Sequence, residues 1–272
     1  MVGRPGPPYS HAMDTTSLFS VDGKVAVVTG GSRGIGRMIA EGLVRSGVRV
    51  YISSRKAEAC DEAAAELSRW GGCHSLPADL STREGVESLA ARVAEREPVV
   101  HLLVNNAGAT WGAPMTDYPD SAWDKVLATN VKAVFDLTVA LLPQLRAASS
   151  DDDPARVVNI GSIDGIRVPE TDNYAYSASK AAVHMLTRQM AHHLCRERIT
   201  VNAIAPGPFP SKMMAFILDA DGGEEMVAGG VPLGRIGRPE DVAGTVIYLA
   251  SRAGSYLTGA IIPVDGGLST HG

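Results

Sequence analysis

The chain has 272 residues, of which 45% are hydrophobic and 20% charged, a composition typical of a globular protein with a sizeable core. The net charge of -5 argues against nucleic acid as the main partner, because phosphate binding favours a basic surface. Cys60, Cys73 and Cys195 have no metal-ligand spacing and cannot all pair internally, which predicts no metal site and a reducing compartment.

The first 17 residues are rich in Gly, Pro, Ser and Thr and lack the apolar core of a secretory signal. They predict a disordered or loosely packed extension, residues 1–17, before a single domain at 18–272. No apolar run reaches the roughly 18–20 residues that cross a bilayer, so we expect a cytoplasmic protein with no membrane partner.

The first predicted strand is Lys24–Thr29, a short β-branched run typical of a strand buried on both faces. A glycine-rich turn and an amphipathic segment to about Arg45 follow, which is the order that binds a dinucleotide. The glycine spacing differs from the common Gly-x-Gly-x-x-Gly pattern, and such a turn alone is weak support. The candidate cofactor-binding residues of the turn are Gly30, Ser32, Arg33, Gly34, Ile35 and Gly36.

The end of the second predicted strand, Val48–Ser53, indicates which dinucleotide would bind. In NAD-binding folds this place usually holds an acid for the ribose 2'-hydroxyl, whereas here Ser54 and Arg55 follow the strand. The guanidinium groups of Arg55 and Arg33 could bind a 2'-phosphate. The sequence therefore predicts NADP(H), and the alternative is two solvated surface arginines.

Repeated βα units continue the chain, with a helix near 57–70, a strand near 73–77, a helix near 83–95 and a strand at 100–104. Side chains at strand ends face the ligand crevice of such sheets, so Asp79 and Leu80 could meet an adenine. Asp79 could equally cap the helix that begins near Thr82.

A long helix predicted for 121–145 contains Asn130 among apolar neighbours, so its amide should be buried and hydrogen-bonded, in the simplest case only to backbone. The acidic segment 149–154 is expected to be a solvated surface turn. A strand at 156–160 follows and places Ser162 at its end, where a hydroxyl can form a turn or donate to a substrate oxygen.

Tyr176 and Lys180 lie four residues apart in a helix predicted for 174–197, so their side chains share one face. An ammonium beside a phenol favours the ionised phenol and would make Tyr176 a usable acid. The alternative is an ordinary surface pair. Tyr174 has Ala178 four residues on, so we expect it to line the pocket or begin the helix.

The last third of the chain predicts a strand at 199–204, then a proline-rich turn at 205–211 that cannot be a ladder strand. Weak periodicity and several glycines at 211–234 favour a lid over the substrate, with a mobile loop without function as the alternative. The histidines have no metal spacing, and each is expected on a helix or loop surface: His101, His184, His192 and His193.

The chain carries a set of short motifs in a fixed order: Thr29-Gly30-x-x-x-Gly34-x-Gly36, Asn105-Asn106-Ala107-Gly108, Asn130, Ser162, Tyr176-x-x-x-Lys180, Pro206-Gly207 and Val264-Asp265-Gly266-Gly267. This set resembles the short-chain dehydrogenase/reductase family from about residue 24 to 267. Residues 110–113 and 159–162 resemble, within that family, the 3-oxoacyl-[acyl carrier protein] reductases, particularly the type associated with rhamnolipid biosynthesis.

The resemblance implies an α/β fold, a single-domain Rossmann-type doubly wound sheet of about seven mostly parallel strands flanked by helices. It implies that Tyr176 donates a proton to a carbonyl oxygen held by Ser162, and that hydride comes from the nicotinamide. Lys180 would bind the nicotinamide ribose and lower the phenol pKa, and Asn130 would hold a water of a proton relay.

The resemblance also implies further contacts to NADP(H), from Asn106, Ala107, Gly108, Pro206, Gly207, Phe209 and Ser211. Prolines 208 and 210 stiffen the last of these segments more than is usual in the family. The C-terminal strand 261–264 and a helix at 239–250 resemble the surfaces through which such enzymes associate, so we expect a homotetramer.

The activity implied is NADPH-dependent reduction of a ketone or acyl thioester, above all a 3-oxoacyl group carried by acyl carrier protein or CoA. The alternatives are a sugar, steroid or secondary-alcohol dehydrogenase on the same scaffold and, more remotely, a non-catalytic dinucleotide sensor or scaffold. Arg167, Arg188 and Lys212 are candidates to meet a carrier protein if they face the entrance.

Overall fold

The computed structural model describes residues 14–211, 214–215 and 220–270. One seven-stranded sheet forms the centre, in the order β3-β2-β1-β4-β5-β6-β7, and every adjacent pair of strands is parallel. The predicted α/β doubly wound fold is confirmed. The strands are β1 Val25–Thr29, β2 Arg49–Ser53, β3 Cys73–Ser75, β4 Leu102–Asn105, β5 Ala155–Ile160, β6 Ile199–Pro206 and β7 Ile261–Val264.

Helices join these strands and pack on both faces of the sheet. The helices are α1 Thr15–Phe19, α2 Gly34–Arg45, α3 Ala57–Leu67, α4 Arg83–Ala94, α5 Asp120–Leu127, α6 Ala133–Ala140, α7 Leu142–Ala148, α8 Tyr174–Leu194, α9 Gly223–Gly229 and α10 Pro239–Ala250. Short 3-10 turns occupy Met115–Asp117, Ile163–Gly165, Cys195–Glu197, Arg252–Gly254 and Leu268–Thr270.

Strand β1 shows why the sheet separates two hydrophobic cores. All five of its residues are buried, and successive side chains of a strand point to opposite faces. Ala26 and Val28 accordingly join the core that contains residues of α2, α3 and α10, whereas Val25 and Val27 join the core that contains residues of α4, α6 and α8. Burial on both faces explains the uninterrupted apolar runs of the central strands.

The single helix predicted for 121–145 is broken into three. A π-helical turn, Ala128–Lys132, separates α5 from α6, and a second break precedes α7 at Leu141. The apolar periodicity runs through both breaks, so the pattern could not locate them. Single π-helical turns within α-helices occur frequently at functional sites, and this one contains Asn130.

The predicted surface turn at 149–154 is wrong for one residue. Asp153 forms ion pairs with Lys24, at 2.6 Å, and with Arg156. Only 1% of the Arg156 side chain is exposed, and its other nitrogens donate to the carbonyls of Leu249 and Ser251 at 3.3 and 2.8 Å. The Asp153 carboxylate thus neutralises the charges of Lys24 and Arg156, which lie at the amino-terminal ends of β1 and β5.

The proline-rich segment also departs from its prediction. β6 extends through Ala205 and Pro206, which pair with Pro263 and Val264 of the edge strand β7. A proline is tolerated there because β5 already ends at Ile160, so no neighbour requires its missing N–H.

Two predicted segments lie partly outside the described residues. In the predicted lid, α9 is helical, while residues 212–213 and 216–219, and with them Lys212, lie outside. In the predicted extension, Asp14 caps the short helix α1, and residues 1–13 lie outside.

Candidate active site

Most of the predicted site residues lie at the carboxyl edge of the sheet. β1 pairs with β2 on one side and with β4 on the other, so the strand order reverses at this point. Open α/β sheets bind ligands in the crevice that such a reversal leaves. The glycine turn after β1, the segment after β4 and the Ser162 turn after β5 all open on this edge.

The glycine turn packs directly against the segment that follows β4. Asn106 Nδ2 donates to the main-chain carbonyls of Thr29 and Gly30, at 2.8 and 3.3 Å. A Cβ atom at Gly30 would lie 2.6 Å from Asn106 Nδ2, and one at Gly36 would lie 2.3 Å from it. The two glycines are therefore required by close packing, and the Asn106 side chain holds the turn in place.

Thr29, the first residue of the glycine motif, also belongs to the site. Its Oγ1 accepts hydrogen bonds from the N–H groups of Asn106 and Ala107, both at 2.9 Å, and donates to the carbonyl of Val104. The motif that begins at Thr29 marked this position, although it did not predict these hydrogen bonds. Since the Asn106 N–H is bound here, its carbonyl is the remaining main-chain group for a cofactor.

The start of α2 offers an anion-binding terminus. Gly34 begins this helix with φ of +53°. The N-cap residue is Arg33, and within the described residues its side chain forms no capping hydrogen bond. Uncapped N–H groups at a helix N-terminus favour a phosphate. Ser211 reaches the same place, because its Cβ lies 3.4 Å from where a Cβ of Gly34 would be. Ser32 and Ile35 are half-buried beside them.

Two exposed arginines, Arg33 and Arg55, lie at the end of the crevice where the sequence predicts the adenosine of a cofactor. Arg33 and Arg55 form no ion pair within the described ranges, and Ser54 is half-buried beside Arg55. Burial raises the pKa of the Asp79 carboxyl, but hydrogen bonds from Ser81 and the charge of Arg55 bring it below its usual value. Asp79 therefore lies within electrostatic reach of Arg55.

Asp79 does not cap the following helix. Thr82 takes that role, with its side chain accepting from the N–H of Gly85 at 3.1 Å, while Asp79 accepts from the N–H of Ser81 at 3.0 Å. Threonine stands nearer the first helical residue and has the extended backbone of an N-cap.

Two predicted cofactor-binding side chains point away from the crevice. Leu80 is 6% exposed and Phe209 2% exposed, and each belongs to one of the two hydrophobic cores. The Phe209 ring fills the space above Gly237, where a Cβ would lie 2.4 Å from it. Contacts from these residues to a cofactor could therefore come only from main-chain atoms. Both side chains are buried in the cores because they are apolar, although the sequence predicted that they bind the cofactor.

Ser162 and Tyr176 meet at the carboxyl end of β5. Both side chains are buried, and the Ser162 hydroxyl lies near enough to the Tyr176 phenol to lower its pKa. Burial nevertheless raises the pKa of Tyr176 to about 12, and the negative charge of Asp164 contributes to the rise. The prediction that Lys180 lowers this pKa is therefore wrong for the protein without cofactor, because the loss of water around the phenol raises it.

Lys180 is buried one helical turn after Tyr176. Its Nζ donates to the main-chain carbonyl of Ile160 at 2.7 Å and lies 5.4 Å from the centre of the Tyr176 ring. Burial lowers the pKa of Lys180 to about 8, and the carboxylate of Asp164 opposes this. A Cβ at Gly108 would lie 3.9 Å from Nζ, so the segment after β4 also reaches this lysine.

Asn130 is buried in the π-helical turn, as its apolar neighbours predicted. Its Nδ2 donates to the Ala109 carbonyl and to Ser179 Oγ, both at 2.9 Å, and its Oδ1 accepts from the Ala109 N–H at 2.8 Å. Protein groups thus occupy its amide. Asn130 fixes the segment after Gly108 against α8, next to Lys180.

The structure adds Asp164 and Asn173 to the predicted site. Asp164 lies in the 3-10 turn that Ser162 begins, and its N–H donates to Ser162 Oγ at 3.1 Å. Asn173 Nδ2 donates to Asp164 Oδ2 at 3.2 Å. No sequence pattern predicts this contact, because it depends on how the loop 166–173 folds back on the turn.

The prediction that all histidines lie on the surface is wrong for His184 and His101. His184 is 5% exposed and lies against Gly161 and Gly165, and burial lowers its pKa to about 4, with the charge of Lys180 adding to the effect. His101 is half-buried, and its Nδ1 accepts from the Val25 N–H at 3.1 Å. His192 and His193 are exposed as predicted.

In residues 14–211, 214–215 and 220–270, no cluster of three His, Cys, Asp or Glu side chains could hold a metal ion. Over those same ranges no single helix is long and apolar enough to span a membrane, although the bent pair Asp120–Ala140 and Leu142–Ala148 meets the criteria of length and composition.

The donor set fits a dinucleotide that carries a 2'-phosphate. A glycine turn without room for side chains and the uncapped start of α2 suit a pyrophosphate. Two arginines without ion pairs in the described ranges suit a further phosphate. Beyond them, an oxygen placed between Ser162 and Tyr176 would meet two hydroxyl groups, which is an arrangement for proton transfer.

Comparisons with known proteins agree with this geometry. A family model described as enoyl-(acyl carrier protein) reductase matches residues 30–269. The rhamnolipids biosynthesis 3-oxoacyl-[acyl-carrier-protein] reductase of Pseudomonas aeruginosa is 49% identical over 249 residues, covering 92% of this chain and 97% of that protein. The short-chain dehydrogenase/reductase PhomF of Diaporthe leptostromiformis is 37% identical over 272 residues, covering 92% of each.

A solved structure has the same fold. It is the Pseudomonas aeruginosa RhlG/NADP active-site complex, with 49% identity, a TM-score of 0.90 and coverage of 93% of this chain and 99% of that one.

Proposed function

We propose that this chain, which belongs to the short-chain dehydrogenase/reductase family, is an NADPH-dependent reductase that converts a ketone into a secondary alcohol. One observation carries the proposal: buried Ser162, Tyr176 and Lys180 meet beside a glycine turn that suits a dinucleotide. This observation disfavours the alternative of a non-catalytic sensor or scaffold, because such a protein does not require a buried phenol beside a buried ammonium.

Each residue has a distinct role in this proposal. Ser162 holds the carbonyl oxygen of the substrate, and Tyr176 donates a proton to that oxygen. Lys180 binds the nicotinamide ribose, and Asn130, held against Ala109 and Ser179, keeps open a path by which the proton of Tyr176 is replaced. Bound NADPH supplies the hydride. The positive charge of the oxidised ring would offset part of the burial that raises the pKa of Tyr176.

NADP(H) is the cofactor we propose, with Arg33 and Arg55 on its 2'-phosphate. The support is their exposure at the adenosine end, the absence of an acid at the end of β2, and the NADP in the related solved complex. The other contacts proposed are the N-terminus of α2 with the pyrophosphate, Asp79 and the main chain of Leu80 near the adenine, the main chain of Asn106, Ala107 and Gly108 along the cofactor, and Pro206, Gly207, the main chain of Phe209 and Ser211 at the nicotinamide end.

The substrate we propose is a 3-oxoacyl thioester, carried by acyl carrier protein or CoA. The relative with 49% identity supports it. So do apolar side chains on two neighbouring loops at the start of α8, which are joined by the bond from the Ala113 N–H to the Asp172 carbonyl. These exposed side chains, which suit an acyl chain, are Trp111, Met115, Ile166 and Val168. Residues 211–234 would form the lid.

We further propose a cytoplasmic homotetramer. Strand β7 is a sheet edge with partly exposed residues, and α8 and α6 present exposed apolar side chains such as Met185, Phe135 and Val139, which a second copy could cover. Its three cysteines are free, and Cys195 is exposed, which suits a reducing compartment. Size-exclusion chromatography with light scattering tests the assembly.

A panel of carbonyl substrates tests the proposed reaction. NADPH and NADH oxidation would be followed with 3-oxoacyl-CoA thioesters of several chain lengths, the same thioesters on acyl carrier protein, a keto sugar and a steroid ketone. We expect turnover with NADPH and the thioesters. Turnover of the sugar or the steroid alone would reassign the substrate, and binding of NADPH without turnover of any ketone would refute the reductase.

A further inference from the structure

The turn that carries Ser162 holds a carboxylate to which the proposed reaction assigns no part. Asp164 is two residues after Ser162, half-buried, and its N–H donates to Ser162 Oγ at 3.1 Å. A carboxylate beside a hydroxyl and a phenol that must transfer a proton is costly to bury unless it is paired. It therefore requires an explanation of its own.

Hydrogen bonds connect this carboxylate to the start of α8. Asn173 Nδ2 donates to Asp164 Oδ2 at 3.2 Å, and Asn173 Oδ1 accepts from Ser177 Oγ at 2.8 Å. Ser177 follows Tyr176 directly, and its N–H also donates to the Asn173 carbonyl. Two side-chain bonds thus join the Ser162 turn to the helical turn that carries Tyr176.

Charged groups act on Asp164 from two other elements. Arg167 belongs to the loop behind the 3-10 turn, and Lys180 belongs to α8. Further along α8, His184 is neutral at neutral pH because burial and the charge of Lys180 lower its pKa to about 4, and Arg188 adds to that effect. Asp164 is the only anion among the charged groups that these described residues place around Tyr176 and Lys180.

We propose that Asp164 is a positioning residue that, through Asn173, fixes Ser162 against Tyr176. Its negative charge also keeps Tyr176 protonated up to a higher pH, so that the proton consumed in reduction remains available. The inference rests on the proposed reductase function. Two consequences follow, one geometric and one electrostatic, and different substitutions separate them.

Asp164→Asn removes the charge but leaves an oxygen that can accept from Asn173. We expect the alkaline limb of kcat/KM for ketone reduction to move to lower pH by about half a unit or more, because a nearby like charge no longer opposes ionisation of Tyr176. The acid limb of the reverse reaction, alcohol oxidation, should move in the same direction. Asp164→Ala loses the bond as well, so it should show the same shift and a further fall of about tenfold in kcat.

Glu170→Gln is the matched control, since it removes one negative charge from an exposed position of the same loop. Its pH profile should coincide with that of the wild type. NADPH affinity and the melting temperature of each variant confirm that the site and the fold persist. If Asp164→Asn does not fold, Asp164→Ser removes the same charge in a smaller side chain and is measured in its place.

The outcomes separate the inference from the proposed function. If the alkaline limb of kcat/KM shifts in Asp164→Asn and does not shift in Glu170→Gln, the inference is supported. A limb that coincides with the wild type overturns it while leaving the reductase intact. If wild-type protein with bound NADPH reduces no ketone, the proposed function fails, and the inference fails with it.

Discussion

Lys180 Nζ donates a hydrogen bond to the carbonyl oxygen of Ile160 at 2.7 Å, and this bond joins α8 to the end of β5. Ile160 stands two residues before Ser162, and Lys180 stands one helical turn after Tyr176. The bond therefore fixes both hydroxyl groups in one place. It also leaves the ammonium within 5.4 Å of the Tyr176 ring centre, where its charge can act on the phenol.

The first prediction concerns Tyr176. Tyr176→Phe keeps the buried ring and removes only the hydroxyl, so the fold and NADPH binding should persist while kcat falls at least about 100-fold. Tyr174→Phe is the matched control, because its hydroxyl bonds only Asp172 within the described residues and lies outside the Ser162 contact. Steady-state kinetics and NADPH titration measure both. Retained turnover in Tyr176→Phe would remove this residue from the reaction.

The second prediction concerns cofactor choice. Arg33→Ala and Arg55→Ala should each raise KM for NADPH about tenfold or more and leave KM for NADH nearly unchanged, because a charge-assisted bond to the 2'-phosphate is lost. Arg196→Ala provides the control, since this exposed arginine precedes β6 at the opposite edge of the sheet. An equal loss with both cofactors would assign the arginines a general role.

The third prediction concerns the glycine turn. In Gly36→Ala the new Cβ would lie 2.3 Å from Asn106 Nδ2 and 2.4 Å from the Gly30 carbonyl oxygen, so the turn must open. We expect loss of NADPH binding and a destabilisation of about 1–3 kcal/mol. Gly244→Ala, in an exposed position of α10 with open space around it, should instead stabilise the fold by up to about 1 kcal/mol. Urea unfolding compares the two, and equal stabilities would contradict the packing argument.

The fourth prediction concerns the ion pairs of Asp153 with Lys24 and Arg156. Burial raises the pKa of Asp153, but its bonds and charges with Lys24 and Arg156 bring it below the ordinary 3.8. A lowered pKa in the folded state adds stability above the ordinary value, and this stability is lost as the pH falls through the folded value.

Asp153→Asn should therefore cost roughly 3 kcal/mol at pH 7, because it leaves buried Arg156 without its anion. It should also flatten the loss of stability between about pH 5 and pH 2. Asp152→Asn, at the exposed neighbouring position, should change neither. Urea unfolding at several pH values measures both variants. A wild-type acid dependence in Asp153→Asn would contradict the role given to this pair.

The sequence pattern predicted the strands and most of the site because these depend on local rules. The β-branched runs require burial on both faces, and parallel strands bring their ends to one edge, which predicts that Ser162 lies near the glycine turn. The i, i+4 spacing of Tyr176 and Lys180 likewise fixed their shared face.

What the sequence could not predict depends on contacts between distant segments. The Asp153 ion pairs join residues far apart in the chain, and the bond from Asn173 to Asp164 depends on the fold of a loop. The rise in the pKa of Tyr176 follows from burial by surrounding elements, which spacing along one helix does not reveal. The residues of the π-helical turn at Asn130 keep the apolar periodicity of a helix, so the sequence pattern did not predict the turn.

In the reaction we propose, this chain transfers hydride from NADPH to a carbonyl carbon beside Tyr176. The most direct measurement uses NADPH carrying deuterium at C4 of the nicotinamide, a 3-oxoacyl-CoA thioester and mass spectrometry of the product. We expect one deuterium on the carbinol carbon with the wild type and almost none with Tyr176→Phe. Bound cofactor with no deuterium in any alcohol product would contradict it.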